Sequence, residues 1–325
     1  MGHSWSHRRA TLFAKDEMNP VYVSTVQLLL EVAPVLFESK FFALKGGTAL
    51  NLFVQDLPRL SVDIDVVFTD HELDRENALA TIKDELTNAK SRLEKLGLTV
   101  EVRTNKVGDE TKMFVSDRSS AVKVEVNFVL RGTVLPIARV TLTPAAQQMF
   151  AANIEVPMLA LAEVHGSKLV AAMDRQHPRD LFDVMLMRRR FGLPADFVDC
   201  FVAYLAGHNR TIHEVLFPRP KPIAEVFDSE FVGMTSAPVE LTELEATRTW
   251  LFDTLPRALT RGHREFLLSL LRGEPAWQLM PFAHLQEMPA IRWKLLNLAK
   301  FAKAKPKAAA EHYEELVARF AALDS

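Results

Sequence analysis

The sequence predicts an α+β protein in which a sheet-bearing first half is followed by a helical second part. Three observations predict it. Polar and apolar residues alternate with period two in short runs between residues 41 and 140, the mark of half-buried strands. Beyond residue 195 that alternation nearly vanishes, and apolar residues recur at helical spacing over 197–206, 241–255, 264–271, 291–302 and 308–323. The length of 325 residues exceeds one ordinary small domain and suggests two, each with chain enough for its own core.

Taken in order, residues 16–39 read as an opening helix with Val21, Leu28, Leu29, Val32, Val35 and Leu36 inward, and Pro20 and Pro34 near its ends or bending it. A strand over 41–45 delivers Gly46-Gly47, whose missing side chains permit a tight backbone turn. A second helix over 48–54 starts above that turn and stops before Pro58. In the strand over 61–68, Ser61, Asp63 and Asp65 share one face and Val62, Ile64 and Val66 the other. Thr69 or Asp70 can cap a polar helix over 71–97, whose Glu and Lys residues read as a solvated face.

Strands follow over 98–104, 111–116 and 121–130, joined by the turn-like Asn105, Gly108, Asp109 and Asp117. Another is expected over 134–140, before Thr143-Pro144 as a helix start and residues 154–156 leading to Pro157. A helix over 158–175 packs through Leu159, Ala162, Leu169, Val170 and Met173. Lys168 lies on one of its faces, its amine expected to reach solvent. His177-Pro178-Arg179-Asp180 is a fresh helix start, in which Asp180 is by default a partner of the helix dipole. That helix runs to Arg188, Arg189 and Arg190 and ends at Gly192. Residues 217–222 and 233–238 read as loops.

Composition narrows the function. With 39 Lys+Arg against 41 Asp+Glu the net charge is -2, so no global attraction to nucleic acid or membrane follows and any RNA contact must be local. Two basic clusters could make one: Arg188 to Arg190, and the lysines of 300–307, the latter more often a solvated helix end. The single cysteine, Cys200, rules out an internal disulfide framework and a Cys-rich zinc site; it reads as a core residue and fits a reducing cytosol. The first ten residues hold no signal-like apolar run, and nowhere does such a run reach about 18 residues. A soluble, cytoplasmic protein is expected.

The chemistry concentrates at residues 45–65. A double-glycine turn with a helix start behind it suits a phosphate. Asp63 and Asp65 on one strand face repel each other unless a cation or shared proton offsets them, and two carboxylates plus substrate phosphates are a usual way of holding Mg²⁺. Glu125 shares a strand face with Lys123 and Asn127. It is either a third carboxylate beside the pair or the wet side of an edge strand.

These residues resemble a known family. Gly46-Gly47-Thr48 followed by Ser61-Val62-Asp63-Ile64-Asp65 is similar to the first motif of the polymerase-β-type nucleotidyltransferases. Within that superfamily, Lys45-Gly46-Gly47-Thr48-Ala49-Leu50 with Arg59-Leu60-Ser61-Val62-Asp63-Ile64-Asp65, and later Lys168-Leu169-Val170-Ala171-Ala172 with Arg179-Asp180-Leu181-Phe182-Asp183, resemble the AbiEii/AbiGii group, toxins of abortive-infection and type IV toxin–antitoxin systems with the MenT toxins as relatives. The expected fold is a polymerase-β-like nucleotidyltransferase core, a mixed, mainly antiparallel sheet flanked by helices, over residues 1–157. A helical domain over 158–325 would contribute Lys168 and Asp180 to the site. The resemblance implies that Asp63 and Asp65 bind Mg²⁺ or Mn²⁺, with Glu125 the looser third ligand, and that Gly46, Gly47, Thr48 and Ser61 hold the triphosphate. Lys168 would contact phosphate and Asp180 take a catalytic part, supported by Arg179 and Asp183.

The implied reaction is transfer of NMP from an NTP to an acceptor hydroxyl, with RNA, in particular the tRNA 3′ end, as acceptor and a cognate antitoxin as partner. Two rivals stay open on the residues alone: a nucleotidyltransferase acting on a small molecule or a protein, and a non-catalytic nucleotide- or partner-binding module.

Overall fold

The computed structural model describes residues 18–104 and 110–324; the start of the first expected helix, the first ten residues, and the turn-like Asn105, Gly108 and Asp109 lie outside the described residues. Helix α1 (Pro20–Leu36) begins where Asn19 accepts a hydrogen bond from the Val21 amide and Pro20 takes the first helical position; Pro34 falls in its last turn. Strand β1 (Phe42–Lys45) leads into a short helix, α2 (Gly46–Thr48), which continues as a π-helical turn over Ala49–Val54.

The remaining strands are β2 (Asp63–Phe68), β3 (Thr99–Thr104), β4 (Glu110–Ser116), β5 (Ala121–Asn127), β6 (Ala138–Thr141) and β7 (Glu155–Met158). Among the described residues seven strands form one sheet in the order β3-β4-β5-β2-β1-β7-β6. The β2–β5 and β1–β7 pairs are parallel and the other four antiparallel, so the sheet is mixed and mainly antiparallel. Ile64 and Val66 of β2 and Val122, Val124 and Val126 of β5 are fully buried on the face covered by α1, which also packs against α3 (Arg75–Lys95). The opposite face carries Lys45, Asp63, Asp65, Lys123 and Glu125. The pleat thus separates core from chemistry residue by residue.

Three boundaries differ from expectation because a side chain takes up backbone amides there. Helix α3 is capped by Asp74, which accepts from the Asn77 amide at 2.8 Å; Asp70 instead closes a turn by accepting from the amides of Glu72 and Leu73. The buried Ala78, Ile82, Leu86, Ala89 and Leu93 of α3 recur at three- and four-residue spacing, which turns its charged residues outward. Strand β5 stops at Asn127, whose side chain accepts from the amides of Val129 and Leu130 at 2.9 Å each. The strand expected from 134 starts at Ala138, because the Glu163 carboxylate takes the amides of Val134 (2.7 Å) and Leu135 (2.9 Å) away from pairing.

After α4 (Pro144–Phe150) and β7 the chain is helical: α5 (Leu161–Arg175), α6 (Pro178–Phe191), α7 (Ala195–Ala206), α8 (Ile212–Leu216), α9 (Ala224–Glu230), α10 (Leu241–Ala258), α11 (Arg261–Leu271), α12 (Pro289–Ala304) and α13 (Pro306–Ala321). The short α8 and α9 fall where sequence spacing was silent. Buried apolar side chains gather in two clusters, one around the sheet and one among these helices. Helices α5 and α7 approach so closely that a Cβ on Gly166 would lie 2.5 Å from that of the buried Cys200. No helix among the described residues is long and apolar enough to cross a membrane.

His165 of α5 stacks on Phe197 (4.6 Å between ring centres), and neither ring nitrogen has a hydrogen-bond partner among the described residues. Burial, chiefly, lowers its pKa to about 4. The unfolded ring takes up a proton near its ordinary value of 6.5 while the folded one refuses it. Stability is therefore full above pH 6.5 and falls as the pH drops towards 4, by on the order of 3 kcal/mol in all. His165→Phe should flatten that slope; urea midpoints at pH 8 and pH 5 check it, and equal slopes in both proteins would reject the assignment.

Candidate active site

The site begins at the end of β1. Gly46 has φ +75°, and a Cβ there would overlap Oδ2 of Asp65, so only glycine lets the chain turn this close under the carboxylate. Gly47 is almost as confined, a Cβ there lying 2.8 Å from the Arg59 guanidinium and 3.0 Å from Ser61 Oγ. Helix α2 starts at once, so its first amides lack intrahelical partners and carry partial positive charge. Gly46→Ala should cost about 1–2 kcal/mol from backbone strain alone. It should also displace Asp65 and reduce nucleotide binding, as calorimetric titration would report; wild-type affinity would show that the turn tolerates a side chain.

Strand register then assembles the charges. Lys45 lies opposite Asp65, Asp65 opposite Glu125, and Asp63 opposite Lys123. Lys123 Nζ stands 3.4 Å from Asp63 and 3.0 Å from Glu125, and Lys112 stands 3.3 Å from Glu125. Burial would raise the Glu125 carboxyl, but these two lysines outweigh it and hold it below its usual range. Asp65 is raised, by burial first and then by Glu125 and Asp63 against Lys45 and Lys168. Lys45 is lowered, chiefly by burial, although Asp65 and Glu125 oppose it.

Asp65 thus carries a charge its surroundings leave under-compensated, which fits a divalent cation shared with Asp63. No cluster of three or more His, Cys, Asp or Glu residues able to hold a metal occurs among the described residues. Two carboxylates completed by phosphate oxygens is the arrangement this donor set can supply.

Helices α5 and α6 bring the second half. Lys168 Nζ donates to Asp180 Oδ1 at 2.8 Å and lies 3.1 Å from Asp183. Its side chain is only 8 % exposed, so the amine expected at the surface is buried between two carboxylates. Burial would lower the Lys168 pKa, yet Asp180 and Asp183 together raise it. Asp180 is held below the ordinary carboxylate range despite burial by Lys168 and Arg175, whose guanidinium is 2.8 Å away.

Asp183 is enclosed completely. Arg59 donates to it through Nε (2.8 Å) and a terminal nitrogen (2.6 Å), and Asn51 donates at 3.1 Å, which together with Lys168 pull its pKa down to about 2 against burial. Arg59 itself is 2 % exposed. This bidentate pair ties the segment before β2 to α6; the sequence motif includes Arg59 but gives it no role of its own. The available signal was a cation between Pro58 and Leu60 just ahead of a strand, a place that burial makes expensive without a partner.

A cleft of about 160 Å³ is lined by Asp63, Asp65, Lys168 and Asp180, with Gly47 and Ser61 beside them and Glu125 at its edge. Arg59, Lys123, Arg175 and Arg179 add positive charge around it; Arg179 also faces Glu230 at 3.7 Å. Thr48 does not line this cleft. Its buried hydroxyl lies 3.0 Å from Ser61 Oγ and bonds the Asp63 carbonyl, bracing the carboxylate strand. Asp183 likewise stands behind the cleft. A larger cleft of about 480 Å³, which includes Gly46, meets the first at Asp65, Lys168 and Arg175 and extends to Tyr204, Asn209, Trp293 and Asn297.

The sequence model of the family described as nucleotidyl transferase AbiEii toxin, type IV TA system, matches residues 27–297, most of the chain and all of this site. The chain belongs to the AbiEii family. As a member it is an NTP-dependent nucleotidyltransferase, the toxin of a type IV toxin–antitoxin system. Its fold is similar to that of MenT4, a nucleotidyltransferase toxin from Mycobacterium tuberculosis H37Rv, with a TM-score of 0.57 at 17% identity over 85% of this chain and 93% of that one. No curated protein matches the sequence. The family match spans the carboxylate strand, the glycine turn and the cation-lined cleft.

Proposed function

We propose that this AbiEii enzyme transfers a nucleoside monophosphate from an NTP to a hydroxyl of RNA, the 3′ end of tRNA being the leading acceptor, and acts as a toxin in the cytoplasm by disabling that RNA. The observation that carries the reading is the meeting of Asp63, Asp65, Lys168 and Asp180 round one cation-lined cleft beside the Gly46-Gly47 turn. In the proposal residues 1–157 are the nucleotidyltransferase core and residues 158–325 a helical part that lends Lys168 and Asp180.

The acceptor oxygen bonds to the α-phosphorus, the bond to the pyrophosphate oxygen breaks, and the hydroxyl proton passes to bulk water. Mg²⁺ or Mn²⁺ bound by Asp63 and Asp65 would stabilise charge on the attacking and leaving oxygens. Gly46, Gly47 and Ser61 receive the triphosphate, with amides of the α2 start aimed where negative charge gathers. Glu125, held by two lysines, tunes the field at Asp65 and is the weaker ligand. Asp180 keeps Lys168 and Arg175 directed at the phosphates, and a carboxylate paired with two cations and held below its ordinary range is a poor proton acceptor. Arg179 adds charge at the rim.

The test is incubation with each labelled NTP, tRNA and cell extract, with sequencing of RNA 3′ ends after induction. Added nucleotides on RNA are expected, with arrested growth relieved by an antitoxin. Label on a protein or small molecule alone would overturn the RNA acceptor, and harmless overexpression the toxic role.

A further inference from the structure

Helix α12 stands apart in charge and in surface. It carries Arg292, Lys294, Lys300 and Lys303 and no acidic residue, in a chain whose net charge is -2. Trp293 and Leu296 on it are 51% and 55% exposed, which is unusual for side chains so apolar. Trp293, Asn297 and Lys300 recur at helical spacing, so they form one stripe, and the Lys300 ammonium lies 6.0 Å from the Trp293 ring centre.

The stripe starts at the catalytic cleft. Trp293 and Asn297 line the larger cavity, the one that meets the phosphate cleft at Asp65 and Lys168, while Lys300 and Lys303 lead away along the exposed side of the helix. Lys294 fixes this wall, because its buried amine donates to the Arg210 carbonyl at 2.6 Å. A donor nucleotide fits inside the cavities; a polymeric acceptor must continue outside them. Aromatic rings flanked by cations are how proteins hold single-stranded nucleic acid without reading its sequence, bases stacking on rings and phosphates meeting the cations.

We infer that the exposed stripe of α12 is the track on which the acceptor's single-stranded 3′ end lies, with Trp293 stacking on a base next to the reacting terminus and Lys300 and Lys303 following the backbone. This rests on the proposed RNA acceptor. It also separates the lysines of residues 300–307 by role, since Lys307 belongs to α13 and faces Glu311.

Fluorescence anisotropy with a labelled single-stranded RNA bearing a free 3′ hydroxyl, without NTP, tests the track in wild type, Trp293→Ala and Lys300→Glu/Lys303→Glu. Both variants should unfold at the wild-type temperature. Trp293→Ala should weaken binding about tenfold or more. The double charge reversal should weaken it and flatten its salt dependence. In turnover assays the KM for RNA should rise in both variants while that for NTP holds.

No RNA binding by wild type, or wild-type binding by both variants, overturns the inference, as does a rise in the NTP KM alone, which would place the donor base on Trp293. RNA binding through α12 without label transfer to RNA would sink the proposed acceptor and the acceptor's place on α12 with it, leaving α12 an RNA-binding face only. Transfer to RNA with indifferent variants would sink the track alone.

Discussion

Asp65→Asn is expected to reduce label transfer by at least about 10²-fold while leaving the folded protein as stable as before or more so. The two halves of that expectation have one cause. Asp65 is pushed towards its protonated form by burial and by Glu125 and Asp63, so its ionisation at neutral pH is unfavourable to the folded state. The sign follows from linkage: the folded carboxyl binds its proton more tightly than the unfolded one, so stability is lost as the pH rises from its ordinary value of 3.8 through the raised one. Asparagine keeps the shape and removes the charge. Adding Mg²⁺ should raise the melting temperature of wild type and not of the variant. A variant that transfers label at the wild-type rate, or one that melts well below it, would end this assignment.

Asp183→Ala should fail in the opposite way, through the fold. It takes the carboxylate away from the buried Arg59 and Lys168, and removing one partner from a buried ion pair costs about 3–5 kcal/mol. The midpoint of denaturant unfolding should fall without a change in slope. Asp180→Ala is milder, since Lys168 keeps Asp183 and Arg175 is more than half exposed. A loss below about 1 kcal/mol in Asp183→Ala would mean that Arg59 finds another partner. By the same logic Lys168→Ala should also destabilise the fold, because it removes the cation that lies between the buried Asp180 and Asp183.

What the sequence made legible was what period and turn chemistry record. The alternation in 61–68 puts Asp63 and Asp65 together, and Gly46-Gly47 marks the turn beneath them. Both are visible locally. The polar-face pattern of 121–130 likewise places Lys123 and Glu125, though only the parallel pairing of β5 with β2 brings them beside the aspartates. Arg59 and Asp183 were legible as residues and not as a pair, because nothing local announces a contact across 124 residues. Lys168 looked like an ordinary surface lysine because helical spacing gives the direction of a side chain and not what covers it. The strand expected at 134 failed for a similar reason: the distant Glu163 competes for its amides.

The Arg59–Asp183 pair also orders events during synthesis. A chain still on the ribosome whose residue 183 has not emerged carries an arginine destined for the interior with no counter-ion, and a glycine turn with no opposite wall. The carboxylate strand and its opposite wall therefore close into one cleft only when both parts of the chain are present.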